Sequence, residues 1–191
     1  MNKIVITLVL SIAIMSMANA QRYLPGQRGL EFTGGFVNDI KLSKLNEQAF
    51  YGNMSMSTYT KKGNRWVFGA EYLQKQFAYN DVYLPATQIT GEGGHYFKFL
   101  SDRSKTLFLS VGASALGGYE TLNWGKSLLY DGAVLEDDGG FIYGGAVSFE
   151  IETYLSDRVV FLVRARERVM FGSSINRFQF QAGAGIKIII R

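Results

Sequence analysis

The residues able to carry chemistry are few. His95 is the only histidine in the 191-residue chain, and there is no cysteine. No serine stands at a spacing from His95 that would make a nucleophile and base pair. The stretch "GEGGHY", Gly91 to Tyr96, has the glycine count of a phosphate-binding loop but not its strand-to-helix setting, and glycine within a strand more often marks a bend or close packing. "LEDDGG" gathers Glu136, Asp137 and Asp138 without the full ligand spacing of a calcium loop, so a solvated loop is expected. The expectation is therefore no catalytic residue, no cofactor and no metal site.

The most ordered set of charged residues lies in "LSDRVVFLVRARERVMFG", Leu155 to Gly172, where Arg164, Arg166 and Arg168 occupy every second position after an apolar run. A spacing of two is the side-chain period of a strand, so the three guanidinium groups share one face. The helical alternative sets Arg164 and Arg168 one turn apart. Val159, Val160, Val163 and Val169 favour the pleated reading. A face of arginines needs water or acids beside it.

The first twenty residues, "MNKIVITLVLSIAIMSMANA", have an early Lys3, an apolar core from Ile4 to Ile14 and a small-residue ending. This is the pattern of a secretory signal peptide, with cleavage expected after Ala20. The alternative of a membrane-spanning helix is disfavoured because the apolar part falls short of the ~20 residues needed. Removing twenty of the 191 residues leaves 171, enough for one domain spanning residues 21–191. That chain carries 19 basic residues and 16 acidic ones, spread along its length, which implies no nucleic-acid-binding patch. With 22 glycines, two prolines, eleven tyrosines and fourteen phenylalanines, an all-β domain is expected.

Eight segments alternate with period two, each about long enough for a tilted strand to cross a bilayer, which takes ~9–11 residues. In the first, Leu30, Phe32 and Phe36 oppose Glu31, Thr33 and Val37; in the last, Phe178, Phe180, Ile186 and Ile188 oppose Gln179, Gln181 and Lys187. The connections "KKGN", "SDRSK" and "SDR" are short and polar. Those after the first and third strands read as longer, and "NWGKSLLYDGAVLEDDGG" after the fifth is the longest. "GSSIN" after the seventh is short. Trp66, Phe99, Phe141, Phe171 and Phe178 fall at strand ends, where aromatic girdles belong. The pattern predicts an antiparallel up-and-down barrel of about eight strands in the outer membrane, with outer-membrane lipid around it and turns in the periplasm. A soluble periplasmic barrel or sandwich is the alternative.

In a barrel of eight strands the lumen is just wide enough for side chains to fill it. The polar faces then bring Arg164, Arg166, Arg168, Lys98 and Lys187 together with Glu31, Glu71, Glu92, Glu120, Glu150 and Glu152. Buried charges of both signs must pair, so this network is expected to be structural, with no path for a small-molecule substrate. Glu150 and Glu152 precede the arginines across a tight turn. Their facing requires an even register, with opposed residue numbers summing to 314 or 316.

As a whole, "QRYLPGQRGLEFTGG", "STYTKKGNRWVFGAEYL", "SALGGYETLNWG", "FIYGGAVSFEIETYLSDRVV" and "RERVMFGSSINRFQFQAGAGIK" resemble the TraO family of conjugal transfer proteins carried by conjugative transposons of Bacteroidetes. The resemblance spans nearly all of residues 21–191. It implies a non-enzymatic, exported component of a mating-pair, type IV secretion apparatus, with other conjugal transfer proteins as partners. It transfers no functional residue. The surfaces left for docking are the loop from Asn123 to Gly140 and a rim carrying Lys61, Lys62, Arg103 and Arg158. A stand-alone barrel acting as an adhesin or surface-stabilising protein, or a lipid-modifying enzyme, is the alternative. The chain ends in Arg191 after "KIII", where many outer-membrane barrels end in an aromatic residue.

Overall fold

The computed structural model describes residues 24–38, 48–79, 82–126, 129, 132–134 and 139–190. The expected signal peptide and the acids of "LEDDGG" lie outside these residues. The alternating segments form eight strands: β1 (Arg28–Val37), β2 (Ala49–Tyr59), β3 (Arg65–Tyr79), β4 (Val82–Ser101), β5 (Leu107–Leu122), β6 (Gly139–Tyr154), β7 (Val159–Phe171) and β8 (Phe178–Ile190). Each pairs antiparallel with the next, and β8 returns to β1, closing the barrel and leaving no sheet edge. This is the expected fold.

Cross-strand partners followed from Arg28 through Thr58, Trp66, His95, Ala113, Val147, Glu167 and Phe180 return to β1 at Asn38, whose N–H donates to the Phe180 carbonyl. That is ten residues on from Arg28, a stagger that tilts the strands by roughly 40°. The tight connections, β1's start and β8's end share one end of the barrel, here the turn end; the opposite end is the loop end.

Burial alternates along the strands as the sequence alternates in polarity. On β2, Tyr51, Asn53, Ser55, Ser57 and Tyr59 are buried while Phe50, Met54 and Met56 face out. The five aromatics expected at the girdles are all exposed, Trp66 and Phe99 near the turn end and Phe141, Phe171 and Phe178 near the loop end. At the loop end Tyr143 stacks on Phe141 and Phe171 at 6.2 and 5.5 Å, and the Arg177 guanidinium lies 4.6 Å from the Phe171 ring. At the turn end His95 faces outward, edge-on between Trp66 and Phe97 at 4.7 and 4.4 Å. A bulge after Lys98 leaves both Phe99 and Leu100 exposed.

The connection after β3 is not the longer loop read from the sequence. β3 and β4 continue pairing to Tyr79 and Val82, so two residues join them. The polar and apolar alternation lapses there because the hairpin runs past the barrel. Residues 82–85 have β3 as their one partner, pairing with β5 beginning at Ala86, and Pro85 is tolerated in that one-sided stretch.

Close approach of backbones fixes certain glycines. A Cβ on Gly118 would strike the Ile89 carbonyl oxygen on β4. Gly118→Val is expected to destabilise the barrel by about 1–3 kcal/mol through overpacking, read as a lower urea midpoint in detergent, whereas Gly52→Ala, where a Cβ meets nothing within 4 Å, is expected to leave it unchanged.

Candidate functional site: an ion-paired lumen

The inward face of β7 follows from its period of two. Leu162, Arg164, Arg166, Arg168 and Met170 are all buried, between outward Phe161, Val163 and Phe171. Pairing with β6 sets Glu150 opposite Arg164 and Ser148 opposite Arg166, numbers that sum to 314, one of the two even registers expected. The acids come from β6 beside β7, from β1, and from β3 and β4 across the lumen.

Near the turn end the network centres on Arg65, the first residue of β3. Its guanidinium contacts Glu150, reaches Glu152 at 2.7 Å and lies 3.8 Å from Glu31. Arg164 bridges the same group, at 2.6 Å from Glu150 and 2.9 Å from Glu31. Lys187, from β8, closes the ring at 2.5 Å from Glu152 and 3.0 Å from Glu31. Tyr96 lies beneath the two guanidinium groups, its ring centroid 4.5 Å from that of Arg65 and 5.7 Å from that of Arg164. Lys187 also donates to the Tyr59 hydroxyl at 2.9 Å.

Further toward the loop end, Glu71 accepts from Arg166 at 3.1 Å, Arg168 at 2.5 Å and the Gln181 amide at 2.8 Å. Arg166 also contacts Glu92 and donates to the Ser114 hydroxyl at 3.1 Å. Five cations and five acids thus pair throughout. This is the form in which charge survives burial.

Two of the residues expected in the network sit apart from these pairs. Glu120 is buried near the loop end and held by neutral donors: the Gln88 amide at 2.6 Å, the Ser173 hydroxyl at 2.9 Å, the Ser174 N–H at 2.7 Å and the Ser174 hydroxyl. Lys98 is half-buried toward the turn end, its ammonium 5.6 Å from the Phe108 ring. Arg65 was missed from sequence, although it shares the inward parity of Val67 and Glu71; it directly follows the turn "KKGN" and reads as one more turn charge.

Apolar layers close both ends of the lumen. At the turn end Tyr59, Phe108, Tyr154, Val160, Leu162 and Ile189 pack together. At the loop end Val37, Ala49, Tyr51, Leu73 and Ala86 pack around Ile175, which arrives from the short β7–β8 connection. That connection turns inward because Gly172 adopts a φ of 78°, which suits a residue without Cβ, and Ser173 and Ser174 then latch onto Glu120. The short "GSSIN" segment is therefore a cap. Among the described residues no group of three or more His, Asp or Glu side chains could hold a metal ion. Chemically, the arrangement neutralises charge and fills space.

A closed eight-stranded barrel with an apolar exterior, aromatic girdles and a filled, charge-balanced lumen is the outer-membrane type of small barrel. The chain belongs to the conjugative transposon protein TraO family, whose model matches residues 24–190. Among solved structures, it is similar in fold to Neisserial surface protein A, at 10% sequence identity and a TM-score of 0.51, with 86% of this chain and 97% of that chain covered. It is also similar to Ail, the attachment invasion locus protein of Yersinia pestis, crystallised with the heparin analogue sucrose octasulfate, at 11% identity and a TM-score of 0.51, covering 86% and 100% of the two chains. No curated protein matches the sequence.

Proposed function

We propose that this protein is a non-enzymatic scaffold of a conjugative DNA transfer apparatus, inserted in the outer membrane after export and cleavage of residues 1–20. The observation that carries the reading is the family match over nearly the whole chain. The lumen supports a scaffold over a conduit. Among the described residues its charges are paired side to side and apolar clusters pack near both ends, which suits a filled lumen better than an open polar path. The two ends are surfaces open to other transfer proteins. The turn end carries Lys61, Lys62, Arg103 and Arg158, all exposed, which outnumber Asp102 and Asp157 of the same turns, and an excess of basic charge on a rim suits an acidic periplasmic partner.

The membrane location is tested by fractionation. The mature protein is expected in the outer membrane and resistant to carbonate extraction. A tag at Asp137 is expected to bind antibody on intact cells, and one within Lys61–Asn64 is expected to bind only after permeabilisation. Recovery in the soluble periplasmic fraction overturns the location. The role in transfer is tested by mating donors that lack the gene.

A further inference from the structure

The outward face of β7 reads Phe161, Val163, Ala165, Glu167, Val169 and Phe171. Glu167 thus points to the exterior, four residues from the loop-end girdle at Phe171 and six from Phe161. At ~3.3 Å per residue on a strand tilted by roughly 40°, it sits about 10 Å inside the apolar band. Its cross-strand neighbours are Val147 and Phe180. It is half-buried, and its carboxylate has no hydrogen bond or ion pair with any described residue.

This inverts the rule followed inside the barrel, where the acids have partners. Between the girdles, the outward faces of the described strands carry no lysine or arginine. His95 lies three strands away on the same cross-strand row, roughly 14 Å at ~4.8 Å per strand. A carboxylate at this depth is costly against lipid and calls for a partner from outside the chain. Exposed Val147 and Phe180 stand directly beside it, with a small residue next along each of the three strands. Ala165 flanks it on β7, Gly145 on β6 and Ala182 on β8, with Ala113 and Ala115 beyond on β5. Small side chains let another backbone approach closely.

We propose that Glu167 and this small-residue face form an intramembrane docking site for a segment of another protein that turns a lysine or arginine toward it at that depth. The charge of Glu167 selects a basic partner, and the small side chains next to it along β6, β7 and β8 give that partner's backbone room to approach. This rests on the outer-membrane location proposed above.

A photoreactive benzoylphenylalanine at Ala165 in the full chain, irradiated in donor cells, tests it, with the same residue at Met54 on β2 as the control. The expected result is one heavier adduct from position 165 and none from 54. With Glu167→Lys the adduct is expected to fall about tenfold or more, and with Glu167→Gln by less, while the barrel keeps its heat-modifiable folded form. The adducted peptide is expected to carry a lysine or arginine in a membrane-embedded segment, and its replacement by glutamate is expected to restore the adduct with Glu167→Lys. An adduct of twice the protein's own mass overturns the proposal in favour of a second copy. Equal yield with Glu167→Lys, or no adduct from a barrel that fractionates with the outer membrane, overturns it while leaving the location standing. A protein recovered in the soluble fraction ends both.

Discussion

Arg65→Leu is expected to give a barrel that does not reach its folded, heat-modifiable form under conditions where the natural protein does. Arg65 contacts Glu150, Glu152 and Glu31 with its whole side chain buried, so the substitution leaves three carboxylates with two cations, Arg164 and Lys187. Breaking one buried pair costs about 3–5 kcal/mol, and this change breaks several at once. A small domain has only about 5–15 kcal/mol of stability in total. Arg166→Leu, which releases Glu92 and one of two cations from Glu71, is expected to cost the smaller figure. The charge argument has its own signature. Adding Glu150→Leu to Arg65→Leu removes one stranded acid while Arg164 keeps Glu31, so the double variant is expected to recover the folded, heat-modifiable form that Arg65→Leu alone does not reach. A double variant as unstable as the sum of its parts would show that packing, and not ion pairing, sets the cost.

The same arginines mark how far the sequence could be read. Alternation with period two locates all eight strands because each has one face against apolar surroundings and one against the lumen, and parity then assigns Glu31, Glu71, Glu150, Glu152 and the arginines of β7 to the inside without any long-range information. Glu150 beside Arg164 followed from one of the two hairpin registers, but the pairs that cross the lumen were not legible, because their strands lie far apart in sequence: Arg166 of β7 contacts Glu71 of β3 and Glu92 of β4. Glu167 was readable from parity, sharing the register of Val163 and Val169, but stands within a run of arginines that face the other way. The β3–β4 hairpin escaped because past the barrel its residues no longer divide between a lumen face and an apolar outer face, which erases the period. Ile175 escaped because a six-residue connection has no period at all; its burial depends on Val37, Tyr51 and Leu73 standing around the lumen mouth.

A donor that lacks this gene is expected to transfer its element at a frequency lower by orders of magnitude, with unchanged growth and with transfer restored by a copy supplied in trans. The expectation rests on membership of the conjugative transposon TraO family together with a barrel whose described lumen is filled by paired charges and apolar clusters and whose ends are exposed. Variants separate contact from folding. His95→Ala removes a ring packed on the exterior between Trp66 and Phe97 and is expected to leave transfer intact. Reversing the rim charges, with Lys61, Lys62, Arg103 and Arg158 changed to glutamate, alters exposed residues that belong to no lumen pair, so the barrel is expected to fold normally while transfer falls and co-purification with neighbouring transfer proteins weakens. Rim electrostatics act mainly on association, so the loss relative to the natural protein is expected to be largest at low ionic strength and to shrink as salt screens both the natural attraction and the variant's repulsion. Transfer at the normal frequency from the deletion donor would remove the conjugation reading and leave a stand-alone surface barrel in its place.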